Sequence, residues 1–231
     1  MDISGTTALV TGANRGLGRA IAEALLDRGA KTVYAGVRDV GSVTDPRLTP
    51  VHLDVTDPAS VFAAAELAAD VDLVVNNAGI AGSGSIFAPD GVESLRRQLE
   101  TNTIGPLLVA RAFAPYLEAN GGGAIVNVLS VLSWVTMAPT SGYSASKAAA
   151  WSITNATRGE LRAQGTHVVG VHVGYLDTDM AAHVDGPKTD PADLARQILD
   201  AVENGDDEVL GDDLSRGVKA GLSGPVGALS L

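Results

Sequence analysis

Apolar residues along this chain alternate between two rhythms. Thr7-Ala8-Leu9-Val10 is a short apolar run ending in a glycine-rich turn, and residues 17–28 then place Leu17, Ile21, Leu25 and Leu26 at helical spacing. Gly29 stands where such a helix commonly needs a left-handed closing residue. Further strands are expected at Lys31–Val37, Val51–Leu53, Val71–Val75, Ala124–Leu129 and His167–Val173. Helices are expected near 92–118, 142–163 and 190–203, and Asp57-Pro58 reads as a cap and first helical residue. Several strands are apolar at successive positions, as in a parallel sheet covered on both faces. The pattern predicts an α/β chain, a doubly wound parallel sheet in three layers, forming a single domain over 1–231. The Gly-rich, apolar tail 217–231 reads either as a frayed end or as a segment that docks on a neighbouring subunit.

Composition narrows the chemistry. Hydrophobic residues make up 45% of the 231 positions but aromatics only 4%, so the core must be built from Ala, Val, Leu and Ile. The absence of cysteine excludes disulfides, thiolate metal sites and a cysteine nucleophile. A net charge of −11 with no basic stripe argues against nucleic acid as a partner. No run approaches the roughly 18 apolar residues of a membrane span. The acidic start, Met1-Asp2-Ile3-Ser4, is unlike a secretory signal, so a cytoplasmic protein is expected. The four histidines show no metal-ligand spacing, and no metal is expected.

Two constellations carry candidate chemistry. The first is Thr11-Gly12-Ala13-Asn14-Arg15-Gly16-Leu17-Gly18, between a strand and an amphipathic helix. Glycines there let backbone approach a pyrophosphate, and the helix N-terminus favours the anion. Its Gly-x-x-x-Gly-x-Gly spacing lacks the Gly-Lys-Ser/Thr of a nucleotide-hydrolysing loop. The second is Tyr143-Ser144-Ala145-Ser146-Lys147, with Ser130 thirteen residues upstream of the tyrosine. Positions i and i+4 share one helical face, so the ammonium is expected beside the phenol, lowering its pKa from about 10 toward neutrality. Such a tyrosine can serve as a proton donor and acceptor. Taken alone, the pair reads as a lysine stem lying over a half-buried ring.

Together these residues resemble the short-chain dehydrogenases/reductases, from about Thr6 to Met180. The likeness comprises the glycine turn, Asp54, Asn76-Asn77-Ala78-Gly79, Asn102 with Gly105, Ser130, and Tyr143 with Lys147. The resemblance implies a Rossmann-type domain with a seven-stranded parallel sheet, and a catalytic tetrad of Asn102, Ser130, Tyr143 and Lys147. It implies that Ser130 orients a substrate carbonyl, that Tyr143 exchanges the proton as a nicotinamide exchanges hydride, and that Lys147 steadies the tyrosinate and holds the nicotinamide ribose. Similar proteins carry Pro-Gly after the sixth strand. Here Val173-Gly174 stands instead, with Gly174 and Thr178 kept on the nicotinamide side. Relatives are commonly dimers or tetramers, so a homo-oligomer is expected.

Pro106 lies four residues after Asn102 and has no N–H for the Asn102 carbonyl. That carbonyl is expected to hold a water linking Lys147 to solvent, unless Pro106 merely begins a new helical segment. The second strand ends in Arg38, with no carboxylate before Asp39. Arg38 and Arg15 suit a 2′-phosphate, which predicts NADP(H) over NAD(H); the bland alternative pairs Arg38 with Asp39. Gly12, Asn14, Arg15, Gly16, Leu17 and Gly18 are expected to cradle the dinucleotide. Asp54 and Val55 are expected at its adenine, the alternative for Asp54 being to help start the next helix; Asn76, Ala78 and Gly79 are expected at its ribose, the alternative for Asn76 being to bridge strands. Ile80, Ile86, Phe87, Leu132, Trp134, Met137, Tyr175 and Met180 suggest an apolar pocket for a hydrophobic or aromatic carbonyl. Between Met180 and Asp190 there is too little chain for a large helical lid. The expectation is a broad carbonyl reductase; the rivals are a non-catalytic dinucleotide sensor on the same fold and a methyltransferase.

Overall fold

The structure, a computed structural model, describes residues 1–82, 84–225 and 227. Its strands are β1 (Thr7–Thr11), β2 (Thr32–Val37), β3 (Thr49–His52), β4 (Leu73–Asn76), β5 (Gly123–Val128), β6 (Thr166–His172) and β7 (Glu208–Leu210). Its helices are α1 (Gly16–Asp27), α2 (Pro58–Leu67), α3 (Gly91–Leu99), α4 (Gly105–Ala119), α5 (Ser141–Leu161), α6 (Pro191–Asn204) and α7 (Asp213–Gly221). The strands form one parallel sheet in the order β3-β2-β1-β4-β5-β6-β7. This is the Rossmann-type, three-layered arrangement that the resemblance implied.

Alternation along the strands builds the layers. Ala8, Val10, Val33, Ala35, Leu73 and Val75 face α1 and α6. Leu9, Val51, Val74, Ile125 and Val168 face the opposite way, onto α2 and α4. β1 is therefore buried along its whole length, and helices cover both its faces. Apart from Phe113 and His172, the largest fully buried side chains are Ile and Leu, each stabilising by roughly 1.5–3 kcal/mol on burial.

Helix ends follow their chemistry. Gly29 has φ +84°, donates to the Leu26 carbonyl at 3.0 Å, and lets Ala30 N–H reach the Leu25 carbonyl at 3.0 Å. These two bonds satisfy carbonyls that α1 would otherwise leave bare. Asp57 accepts the Ala59 N–H at 2.9 Å, with Pro58 opening α2. The helix expected over 92–118 runs unbroken over 91–119 and carries a π turn at Glu100–Ile104, in which Gly105 N–H reaches back five residues to the Glu100 carbonyl. α4 follows directly, with Pro106 in its first turn, where the missing N–H is tolerated. Pro106 thus falls in the turn that follows the π segment, inside one continuous helical run.

As far as residue 221 the tail is not frayed. Asp213–Gly221 is a helix whose Val218 packs on Val131, Leu132 and Val135 of the same chain. The rest of that tail includes Val226 and residues 228–231, which lie outside the described residues. No helix among the described residues is long and apolar enough to cross a membrane.

Candidate active site

β1 pairs with β2 on one side and β4 on the other, so the strand order reverses between β1 and β4. A crevice opens at the carboxyl ends of strands at such a point. The glycine turn follows β1 and Asn76–Gly79 follows β4, and both border it. Gly12 and Gly16 adopt φ +68° and +54°. A Cβ on Gly18 would collide with the Gly12 carbonyl and the Asn77 side chain. These are features of a loop that must let an anion approach backbone closely. Arg15 precedes α1 without a side-chain cap, so the first N–H groups of the helix are left for a ligand. Asn14 is half-buried in the same turn, and Leu17 packs into the core, so only its backbone can face a ligand.

Two residues that sequence reasoning did not single out stitch this crevice. Thr11 Oγ1 accepts N–H bonds from Asn77 and Ala78, both at 3.0 Å. Asn77 Nδ2 donates to the carbonyls of Thr11 and Gly12 at 3.0 and 3.3 Å. The signal for Thr11 was a polar residue closing an otherwise apolar strand, and Asn77 follows β4 directly.

Several expected ligand residues are committed elsewhere. The Asn76 side chain is buried and donates to Asn127 Oδ1 at 2.9 Å, bridging β4 to β5 rather than facing the ribose. Val55 packs between α2 and α4, so its side chain is core rather than adenine contact. Asp54 Oδ1 accepts the N–H and hydroxyl of Thr56 at 2.9 and 2.8 Å. These bonds, with small help from Arg38 and His52, hold its carboxyl below the usual range. Arg38 is exposed and makes no ion pair among the described residues; Asp39 instead caps a turn through the Gly41 N–H at 3.0 Å. Arg15 has only a distant carboxylate, Asp179 at 3.9 Å, with both side chains largely in solvent.

The chemical centre forms where β5 ends beside the first turns of α5. Ser130 follows β5, and Tyr143 and Lys147 stand one helical turn apart on α5. Ser130 Oγ accepts the Leu132 N–H at 3.1 Å, which leaves its own proton to donate. The ring of His172, on β6, donates to the Ser130 carbonyl at 3.0 Å and stacks on Trp134 at 3.7 Å. Burial drives the His172 pKa down to about 4, which keeps the ring neutral. Lys147 lies 5.7 Å from the centre of the Tyr143 ring and donates to the Val128 carbonyl at 2.8 Å. Burial pulls the Lys147 ammonium down to about 8 and pushes the Tyr143 phenol up to about 12, against a smaller lowering by Ser130. Against the expectation of an acidified phenol, burial raises it, and the ammonium is turned toward the Val128 carbonyl.

Asn102 is a clamp. Its Oδ1 accepts the Ile80 N–H at 2.9 Å, and its Nδ2 donates to the Ile80 carbonyl and Ser146 Oγ at 2.9 and 3.0 Å. The chain after β4 is thereby joined to α5, with Ser146, another residue not singled out, as the link. A Cβ on Gly79 would lie 3.2 Å from Asn102 Oδ1 and 3.9 Å from Lys147 Nζ. Behind Lys147 is a cavity of about 10 Å³ lined by Asn76, Asn102, Pro106, Asn127 and Thr154. Asn76 Oδ1 is buried there without a hydrogen-bond partner among the described residues. One water suits such a space and such a lining.

The mouth is mixed. Ile80, Ile86, Phe87, Tyr175 and Met180 are exposed, Phe87 at 92%. Leu132 and Trp134, expected to line the pocket, are buried, Leu132 against Val218 and Trp134 on His172. Tyr175 and Met137 approach across the mouth, with hydroxyl and sulfur 4.0 Å apart. Thr178 lies against Gly16, where a Cβ would sit 3.3 Å from its methyl, so the chain after β6 abuts the glycine turn. Gly174 donates its N–H to Asp212 Oδ2 at 2.7 Å.

Known proteins are similar to this chain in sequence and fold. A family model described as short chain dehydrogenase matches residues 6–188. The chain is 41% identical to a short chain dehydrogenase from Burkholderia cenocepacia J2315, solved in complex with NADP; the two align with a TM-score of 0.94 over 99% of this chain and 97% of the other. It is 35% identical over 204 residues to short chain dehydrogenase pigC of Monascus ruber, covering 80% of this chain and 67% of that protein. It is 33% identical over 227 residues to short chain dehydrogenase tazN of Aspergillus terreus, covering 91% of this chain. The chain spans about half of tazN, 49% of its length.

Proposed function

The chain belongs to the short-chain dehydrogenase family, and we propose that it is an NADPH-dependent oxidoreductase that reduces hydrophobic or aromatic aldehydes and ketones to alcohols. The observation that carries this reading is the meeting of Ser130, Tyr143 and Lys147 at the end of β5, beside a crevice bordered by the glycine turn. The close-packed glycines, the uncapped start of α1 and the two exposed arginines fit a phosphorylated dinucleotide. Arg15 and Arg38 would take its 2′-phosphate, since no carboxylate at the end of β2 offers itself to a 2′-hydroxyl. Gly79 and Lys147 would meet the ribose near the reacting end, and Gly174 with Thr178 the nicotinamide. Bound there in its reduced form, the cofactor supplies a hydride to the substrate carbon.

The chain's own residues handle the oxygen. Ser130 Oγ donates a hydrogen bond to the carbonyl and orients it. A phenol raised to about 12 is neutral at pH 7, so Tyr143 is loaded with the proton that the developing alkoxide needs. Lys147, one turn away with its ammonium 5.7 Å from the ring centre, would steady the phenolate that this transfer leaves, and its pKa near 8 suits it to return a proton at working pH. A water in the cavity beside Asn102 would refill Lys147 from solvent; an ordered water there in a high-resolution map checks the path. In reverse, the same phenol would have to be ionised first.

NADPH and NADH oxidation should be compared across aromatic aldehydes, α-diketones and ketones. NADPH is expected to show the higher kcat/KM, with Arg38→Ala lowering that value by about tenfold or more. Tyr143→Phe should lose about 10²–10⁴ in kcat while retaining NADPH binding. Tight NADPH binding with no turnover of any carbonyl would favour the sensor instead.

A further inference from the structure

We propose that Asp212, the residue that starts the C-terminal helix α7, is a positioning residue that fixes the loop after β6 for the nicotinamide end of the cofactor. The reason lies in where backbone hydrogen bonds go at the end of a strand. β6 stops at His172 and β7 at Leu210, so Gly174 N–H lies past the ladder and needs another acceptor. The family-like proline before this glycine would have stiffened the chain, and Val173 does not. Asp212 supplies the restraint from the far end of the sequence.

One oxygen of its carboxylate accepts Gly174 N–H at 2.7 Å, and the other accepts Ser215 N–H at 2.7 Å, capping α7. Bonds from backbone N–H to an ionised carboxylate are among the stronger restraints available to a loop. The contact is also close-packed: a Cβ on Gly174 would sit 3.0 Å from Asp212 Oδ2 and 3.0 Å from the Leu214 side chain. The anchor is itself held. Gly211 N–H donates to the His172 carbonyl at 2.8 Å, and Arg216 donates to the Leu210 carbonyl at 2.8 Å. At its other end the loop reaches Thr178, against Gly16 of the glycine turn. A restraint at Gly174 therefore sets the placement of Thr178 beside the crevice. The cofactor part of this inference rests on the dinucleotide reading above; the restraint on Gly174 does not.

Asp212→Asn separates the two bonds, because asparagine caps a helix about as well as aspartate but has one acceptor oxygen rather than two. Hydrogen exchange of the Gly174–Thr178 amides in the free protein is expected to speed up by about five- to tenfold in this variant, with α7 amides unchanged. The Kd for NADPH is expected to rise by a similar five- to tenfold, while 2′-phosphoadenosine 5′-diphosphoribose, which lacks the nicotinamide, binds as in the unaltered chain. Asp213→Ala, an exposed neighbour, should change neither. Unchanged exchange at Gly174 overturns the restraint whatever the cofactor. Faster exchange with unchanged NADPH affinity, or equal weakening of both ligands, overturns the link to the nicotinamide. Should the unaltered chain bind neither ligand, it is the dinucleotide reading that falls, and the exchange comparison still decides the role of Asp212. Asp212→Ser, which keeps a cap with a shorter reach, gives the same comparison if the asparagine variant folds poorly.

Discussion

Lys147 is an ammonium held out of water with a single carbonyl for company, and that state has a measurable cost. Its pKa falls to about 8 from 10.5, so between those values the unfolded chain holds a proton that the folded chain has released. Stability contributed by this site therefore rises with pH through that window. Lys147→Met is expected to be more stable than the unaltered chain at pH 7 by about 1 kcal/mol or more, with the advantage gone above pH 10.5. Urea unfolding at both pH values checks this, and an advantage independent of pH would point to packing instead. The same substitution should abolish turnover. Tyr143, Lys147 and Ser130 were legible in the sequence because a fixed spacing carries them. Thr11, Asn77 and Ser146 were not, since each is one polar residue whose partner lies 66 or 44 positions away in the bonds that define it. The state of the phenol was also illegible: spacing brings the ammonium near, but burial decides the pKa.

At the scale of elements, the apolar rhythm located the strands to within a few residues, because a strand buried on both faces is a run that nothing interrupts. β7 escaped it: Glu208-Val209-Leu210 is too short to show a period, and only the family likeness implied it. α7 escaped for a different reason, as its exposed glycines, Gly217 and Gly221, read as a tail until Asp212 is seen capping it. The irregularity between α3 and α4 was half legible, since Pro106 marks the place but not the π turn before it. Glycine closures, by contrast, were readable from position alone. Gly29→Ala is expected to lower stability by about 1 kcal/mol, because φ +84° strains any residue with a Cβ. Calorimetry measures it. NADPH affinity should not move, as Gly29 lies at the end of α1 away from the crevice, and a change in affinity would show that the strain spreads through the helix.

Across the whole molecule, parallel strands give the sheet two unlike rims. At their carboxyl ends stand the glycine turn, Asn76–Gly79, Ser130, Gly174 and the start of α7. Helices run back against the strands, so they finish at the other rim. There lie Gly29 after α1, Gly121 after α4 and Gly205 after α6, each at positive φ. Asn204, the exposed last residue of α6, belongs to that second rim. Because the chain has no thiol of its own, Asn204→Cys creates a unique attachment point facing away from the mouth. Tethered to a bead or electrode through that sulfur, every molecule would present its opening outward. Immobilised enzyme is expected to keep a kcat within about twofold of that in free solution. Random coupling through surface amines, which includes chains anchored mouth-down, should lose more.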